Sequence, residues 1–199
     1  MGQRLVVTVH FQGQDLAKIY YHWSAYTYSA LLETKKILDC IYNHEDESEK
    51  ELQLRLIRFC EENGGGIDNT EYEFEYIRNM YPGEEFKTEN YSRSYGLIAL
   101  SEKGMEMMQE YSEGDFDIYL DEEIVRNYVY CYHDDLEYYN KERSEWDDDF
   151  EPLTLEDIPD IGYDLGEFSI HDIKKVMDAV FKIEDGLCRH GNDIFEMIA

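Results

Sequence analysis

The clearest regular pattern in the chain lies at residues 4–23, which read RLVVTVHFQGQDLAKIYYHW. Every second residue from Leu5 to Phe11 is apolar, and the alternation resumes after the polar, glycine-containing link at residues 12–15. Alternation with a period of two residues is typical of a strand that buries one face. Two such runs around a short turn-forming link predict an antiparallel hairpin over residues 4–23.

Beyond this hairpin, apolar residues recur at intervals of three and four, which is the period of an amphipathic helix. Glycines 64–66 mark one helix end, and Ser101 stands where an N-cap would begin another helix. The predicted helices cover residues 25–42, 49–62, about 70–80, 102–112, a helix opening at Ser169, and a short one at 192–198.

Two further segments carry strand patterns. One strand is predicted at residues 95–100, and a second hairpin joins the alternation around Phe116 to a strand at 124–133 through Asp121-Glu122-Glu123. These elements indicate an α+β fold with two β-hairpins packed with about four to five helices in one compact unit. We expect a single domain over residues 1–199, with a possible subdivision near 63–94 and an acidic insertion before the C-terminal helix.

The charge is large and unevenly spread. The 199 residues carry 46 acidic and 18 basic side chains, a net charge of −28. The first 60 residues have a net charge of −1, whereas residues 110–167 hold 21 acidic and 3 basic side chains, a net of −18. A surface this negative repels phosphate, which argues against direct nucleic-acid binding. No apolar run approaches the length of a membrane span.

The acidic block at residues 110–167 has two interpretations, an ordinary solvated surface or an imitation of nucleic-acid phosphates. Duplex DNA carries one charge per ~1.7 Å of axis, or about 20 charges per turn, so a net of −18 matches one turn if it collects on one face. Asp115, Asp117 and Asp121 are predicted to share a strand face. The candidate partner-binding residues are Asp115, Asp117, Asp121, Glu122, Glu123, Asp134, Asp135, Glu137, Tyr138, Tyr139, Trp146, Asp147, Asp148 and Asp149.

An alternative site lies in the aromatic stretch at residues 20–28. Tyr21, His22, Trp23 and Ser24 could line a small-molecule pocket of a ligand-binding protein or enzyme, or the stretch could simply pack the first hairpin on its helix. No Gly-x-Ser-x-Gly pattern surrounds Ser24, so a serine nucleophile is not indicated. A structural or interaction protein of a phage particle is a further alternative.

Metal and cofactor signals are weak, and we predict no metal site and no cofactor. The run Asp147-Asp148-Asp149 lacks the spaced acids and the glycine of a calcium-binding loop. The four cysteines lie far apart, without the close spacing of zinc or redox sites. Without a signal-peptide pattern, we expect reduced thiols and a location in the cytoplasm of a bacterial host.

Two stretches resemble uncharacterised proteins of phages and prophages. They are the N-terminal MGQR leading to YYHWSAYTYSAL at residues 20–31, and GLIALSEKG at residues 96–104. The resemblance implies a role against a host defence, by analogy an anti-CRISPR inhibitor acting on the basic nucleic-acid channel of a guide-RNA nuclease. We therefore expect a non-enzymatic inhibitor that binds a basic nucleic-acid-binding protein through residues 110–167, with no direct nucleic-acid or membrane partner.

Overall fold

A computed structural model describes the main part of the chain. The described residues are 4–24, 27–41, 47–91, 95–127, 140–141, 144–145, 152 and 167–178, and the side chains of residues 27, 28 and 127 are excluded. The predicted helix at 192–198 and the second half of the predicted strand at 124–133 lie outside these residues.

Eight strands are described, and all belong to one mixed sheet. Their bounds are β1 (Leu5–Phe11), β2 (Gln14–Tyr21), β3 (Gly66–Asp68), β4 (Thr88–Glu89), β5 (Leu97–Ala99), β6 (Gly114–Tyr119), β7 (Ile124–Asn127) and β8 (Glu167–Ser169). The order across the sheet is β4-β3-β5-β2-β1-β6-β7-β8, so the first hairpin lies at its centre.

Both predicted hairpins are present. Strands β1 and β2 pair antiparallel, and their two linking residues, Gln12 and Gly13, both have positive φ angles of 52° and 75°. Such a two-residue link matches the right-handed twist of the strands it joins. Strands β6 and β7 also pair antiparallel around a turn at residues 121–123.

The two hairpins are not separate units, because β1 pairs in parallel with β6 and sets Val7 opposite Phe116. Strand β3 also runs parallel to β4 and β5, so residues 63–94 supply two strands to the same sheet. Strands β3, β4 and β8 were not predicted, because segments of two or three residues are too short to show a period. The α+β class is therefore confirmed, in the form of one continuous sheet with helices.

The predicted helices that fall within the described residues are confirmed with small shifts at their ends. They are α1 (Thr27–Ile41), α2 (Glu49–Glu62), α3 (Glu71–Met80) and α4 (Glu102–Glu110), followed late in the chain by a 3-10 turn at Ile170–Asp172 that continues as a helix over 173–178. As expected, Ser101 caps α4 by accepting a hydrogen bond from the Gly104 amide at 3.0 Å. None of the described helices is long and apolar enough to cross a membrane.

The alternation along β1 gives the sheet two different faces. The first face carries Leu5, Val7 and Val9, which are fully buried in the main core. The residues of α1, α2 and 173–178 that pack in this core include Leu31, Ile37, Leu52, Leu56, Ile173 and Val176. The second face carries Val6, which packs with Tyr20 and with Met108 of α4 in a smaller cluster.

Two of the four cysteines are described, and both belong to the first-face core. Cys60 of α2 is fully buried and Cys40 of α1 is half-buried, and both are free thiols. Burial raises the pKa of each thiol above its ordinary value, which disfavours the reactive thiolate. These two cysteines therefore pack in the core.

Candidate functional site

Strand β6 brings the first predicted carboxylates onto one face. Phe116 and Ile118 are fully buried on the first face, so Asp115 and Asp117 between them point to the second face, opposite Val6 and Thr8 of β1. Asp115 Oδ1 accepts hydrogen bonds from Gln109 Nε2 at 2.8 Å and from Ser112 Oγ at 2.5 Å.

The turn between β6 and β7 exposes three more predicted carboxylates, Asp121, Glu122 and Glu123. Asp121 Oδ2 accepts a hydrogen bond from the Gln12 amide at 2.6 Å, which joins this turn to the turn of the first hairpin. Glu123 has a positive φ of 55°, and its carboxylate lies 3.5 Å from His171 Nε2. The turn therefore presents three anionic groups at one end of the sheet.

A histidine between two carboxylates lies beside this turn, on the second face. His10 Nδ1 is 2.9 Å from Asp15 Oδ1, and Nε2 is 3.2 Å from Asp117 Oδ1 without the alignment of a hydrogen bond. The ring stacks on Tyr119 with centroids 4.2 Å apart and planes 5° from parallel. The sequence analysis missed this cluster, because only the parallel pairing of β1 with β6 brings Asp117 and Tyr119 to His10.

Arg126 links the outer strands of this face. Its Nε is 2.8 Å from Glu167 Oε2, its Nη2 is 3.5 Å from Glu122 Oε2, and its guanidinium lies 4.6 Å from the centre of the Tyr119 ring. The hydrogen bond to Glu167 is the main reason that the pKa of Arg126 is raised. Because Arg126 and Glu167 also lie opposite each other in register, this pair joins β7 to β8.

The predicted acidic insertion connects these same two strands. Residues 128–166 run from the end of β7 to the start of β8 and contain 13 acidic and two basic side chains, a net charge of −11. Nine predicted contact residues fall in this connection and lie outside the described residues: Asp134, Asp135, Glu137, Tyr138, Tyr139, Trp146, Asp147, Asp148 and Asp149.

Helix α4 adds carboxylates that the sequence analysis did not select. Glu102, Glu106 and Glu110 are all exposed and follow one another at intervals of four residues, which places them on one side of the helix. Glu113, just beyond the helix, holds Arg4 with Oε1 2.8 Å from Nη2, and this hydrogen bond lowers the pKa of Glu113. The four-residue spacing of the glutamates was the available sequence signal.

The alternative ligand residues are divided between the two faces. Tyr21 is 3% exposed in the first-face core, whereas His22 turns to the second face, where its Nδ1 lies 2.8 Å from the Tyr20 hydroxyl. Trp23 is 59% exposed and contacts His22 edge to face, and Ser24 is half-buried. The structure therefore brings His22 and Trp23 together but leaves Tyr21 on the opposite side of the sheet.

Two fully buried carboxylates, Asp68 and Glu73, lie near the N-terminus of α4. Glu73 Oε1 accepts hydrogen bonds from the amides of Leu100 at 2.6 Å and Ser101 at 3.2 Å. Asp68 accepts them from the Thr70 amide at 3.1 Å and the Tyr91 hydroxyl at 3.2 Å. Burial raises the pKa of both carboxyl groups, and their hydrogen bonds hold α3 and α4 in place.

The other grooves and side-chain clusters among the described residues offer little for binding a ligand or a metal ion. A polar groove of about 750 Å³ between α1 and α2 is open to solvent, and two of its cations are already paired, Arg55 with Glu47 and Arg58 with Glu61. Among the described residues, no group of three or more histidine, cysteine, aspartate or glutamate side chains is placed to hold a metal ion.

Neither a protein-family model, nor a curated protein, nor a solved structure matches this chain. Its function must therefore be inferred from the physical chemistry of its own surfaces. Carboxylates of β6, the 121–123 turn and α4 lie on or beside the second face, which also carries aromatic side chains.

Proposed function

We propose that the protein is a non-enzymatic inhibitor that binds a basic nucleic-acid-binding protein through an acidic, nucleic-acid-mimicking surface. The partner class includes a CRISPR effector or another host-defence nuclease, which a phage-encoded protein would block by occupying its nucleic-acid channel. The protein competes with DNA or RNA for the cationic groups of that channel and performs no chemical step.

The observation that carries this proposal is the clustering of carboxylates on the hairpin of β6 and β7, residues 114–127, which we call the acidic hairpin. Residues 114–127 contain five acidic side chains and one basic side chain, Arg126. All five carboxylates lie on the second face or in the adjoining turn, and the strand from Asp115 to the start of that turn at Asp121 spans about 20 Å. The acidic connection at 128–166 starts at the end of the same hairpin and leads to β8, the strand that pairs with β7.

The charge density decides how much of the surface a mimic must use. A duplex presents about 12 phosphate charges over ~20 Å of axis, so the five carboxylates of the hairpin supply less than half of this number. Arg126 and two histidines lie next to three of them, Asp117, Glu122 and Glu123. The proposal therefore requires the acids of residues 128–166 as well, and it assigns the hairpin to one end of the contact.

The placement of the buried carboxylates favours binding over acid–base catalysis. A carboxylate pair that acts as acid and base needs opposed environments and access to a substrate. Asp68 and Glu73 are both fully buried, and backbone amides donate hydrogen bonds to both. The exposed carboxylates, in contrast, are numerous and suit long-range attraction of a cationic protein.

The test has two steps, capture and competition. The immobilised full-length protein is incubated with a bacterial host lysate at low salt and eluted with a salt gradient. Each captured protein is then purified with its labelled DNA or RNA, and the release of the nucleic acid is measured as the inhibitor is added. We expect capture of a basic nucleic-acid-binding protein, displacement of its nucleic acid, and an association rate that falls steeply with ionic strength.

Charge-neutralising variants locate the contact. Asp147→Asn, Asp148→Asn and Asp149→Asn together, or Asp121→Asn, Glu122→Gln and Glu123→Gln together, should slow association several-fold without unfolding the protein. The matched control removes the same charge from exposed residues of α2 and α3 through Glu62→Gln, Glu71→Gln and Glu75→Gln. If the control slows association as much as either test variant, the acidic hairpin and its connection are not the contact.

A further inference from the structure

A continuous row of aromatic rings crosses the second face beside α4. Its members, from one end to the other, are Trp23, His22, Tyr20, Tyr91 and Tyr111, and we call them the aromatic row. Successive ring centroids are 4.7, 6.2, 5.0 and 5.0 Å apart, so the row has a contour of about 21 Å. Three separate parts of the chain contribute to it, the end of β2, the segment after β4 and the end of α4.

Hydrogen bonds fix the middle of the aromatic row while its two ends remain exposed. The Tyr20 hydroxyl is bonded to His22 Nδ1 at 2.8 Å, and the Tyr91 hydroxyl donates to Asp68 Oδ2 at 3.2 Å. Tyr20 is only 1% exposed, whereas Trp23 is 59% and Tyr111 is 39% exposed. Rings held in place before binding lose little conformational entropy on contact, which is the property of interface anchors.

The charges around the aromatic row indicate which charge a binding partner should carry. Residues 101–115 contain five acidic side chains and one lysine, Lys103, whose ammonium lies over the Tyr72 ring. Glu110 directly precedes Tyr111, whereas Glu113 near Tyr20 is paired with Arg4. The glutamates of α4 therefore leave this surface acidic, which favours a cationic occupant.

We propose that the aromatic row is the docking surface for an arginine-bearing segment of a basic protein partner. A guanidinium stacks on an aromatic face and simultaneously donates hydrogen bonds to neighbouring carboxylates, which a lysine ammonium does less well. This inference rests on the proposed function and adds to it. The acidic hairpin supplies long-range attraction, and the aromatic row supplies the short-range anchors that decide residence time.

Charge also argues against two other occupants, a nucleotide and a second copy of the chain. A nucleotide would bring phosphate next to Glu110, where like charges repel. A second copy of the chain carries the same net charge of −28, so self-association through this face opposes electrostatic repulsion.

The experiment uses an oligoarginine peptide and an oligolysine peptide of equal length, each labelled, with the full-length protein at constant ionic strength. Both peptides carry the same net charge, so their difference in Kd reports ring stacking together with guanidinium–carboxylate hydrogen bonds, and the ring variants isolate the aromatic part. We expect the wild-type protein to bind oligoarginine about two- to fivefold more tightly for each ring engaged. Trp23→Ala and Tyr111→Ala should each reduce this preference and leave the affinity for oligolysine nearly unchanged, whereas Tyr111→Phe should keep the preference.

The matched control is Tyr76→Ala on α3, because Tyr76 is 41% exposed and lies outside the aromatic row near Tyr81. Equal binding of the two peptides by the wild type would overturn the inference, as would a loss of preference in Tyr76→Ala as large as in Tyr111→Ala. Direct binding of ATP to the protein that Tyr111→Ala abolishes, or dimerisation that Tyr111→Ala abolishes, would assign the surface to another occupant. An arginine preference without capture of any nucleic-acid-binding protein would leave this inference standing and contradict only the proposed function.

Discussion

The two faces of the sheet are made by the same strands but differ in what covers them. Along β1, Leu5, Val7 and Val9 are fully buried under α1 and α2, whereas Val6 packs under α4, and Thr8 and His10 continue along the second face. The first face is apolar along its whole length. The second face is apolar only near α4 and then becomes a row of charged and aromatic side chains.

This difference suggests that the first face mainly stabilises the fold, whereas the second face mainly presents side chains for binding. A helix of nine residues spans about 13 Å, so α4 covers only part of a sheet of eight strands. Polar side chains beyond it contact one another, as Asp15, His10 and Asp117 show. We therefore expect substitutions of first-face core residues to change the free energy of unfolding, and substitutions of exposed second-face side chains to change binding.

The largest expected effect comes from the first-face core. Leu56→Ala removes a fully buried side chain of α2 and should lower the free energy of unfolding by about 2–5 kcal/mol, measured by urea denaturation. Tyr111→Ala on the second face removes a larger but partly exposed side chain and should cost less. A larger loss for Tyr111→Ala would contradict the division between the faces.

The second-largest loss of stability is expected at Gly65, where two backbone segments approach closely beside the first-face core. A Cβ atom on Gly65 would lie 1.9 Å from the Gly96 carbonyl oxygen, and the clash is with backbone that cannot rotate away. Gly65→Ala should therefore destabilise the protein by about 1–3 kcal/mol in the same urea experiment. Unchanged stability would mean that the exit of α2 does not pack this closely against the start of β5.

The two faces can be compared directly through their helix caps, because a helix over each face begins with a serine cap. Ser48 caps α2 over the first face and Ser101 caps α4 over the second. Ser48→Ala and Ser101→Ala should each cost about 1 kcal/mol of unfolding free energy. Ser101→Ala should cost the more of the two, since the Ser101 hydroxyl also donates to buried Glu73, and the reverse order would argue against that coupling.

A pH experiment gives the smallest effect. Burial raises the pKa of Asp68 in the folded protein above its value in the unfolded chain. The carboxyl group therefore stabilises the folded state at a pH below the unfolded pKa, and this stabilisation is lost as the pH rises through the folded pKa. Asp68→Asn, which can still accept from the Thr70 amide, should therefore gain stability relative to the wild type as the pH rises. Glu106→Gln on the exposed side of α4 is the control, and an equal gain in that variant would contradict the role of burial.

Local patterns in the sequence predicted much of this fold. The hairpin over β1 and β2, the bounds of α2 and the cap at Ser101 follow from residue spacing and from side chains that act on neighbouring backbone. These features depend on contacts within a few residues. The acidic hairpin was located for the same reason, because Asp115 and Asp117 alternate with buried Phe116 and Ile118.

Contacts between distant residues could not be predicted in this way. The parallel pairing of β1 with β6 joins residues about a hundred positions apart, and it creates the cluster of His10 with Asp117. The aromatic row likewise needs Tyr91 to fold back against Tyr20. No single-sequence period reports such pairings, so the row and the histidine cluster emerged only from the three-dimensional arrangement.

The most direct test of the central claim is the release of labelled DNA or RNA from the captured partner as the protein is added at several salt concentrations. We predict displacement that reaches completion at one inhibitor per partner, weakens with salt, and weakens further with Asp121→Asn, Glu122→Gln and Glu123→Gln together. Nucleic acid that stays bound while the inhibitor also binds would show two separate sites and would contradict the account.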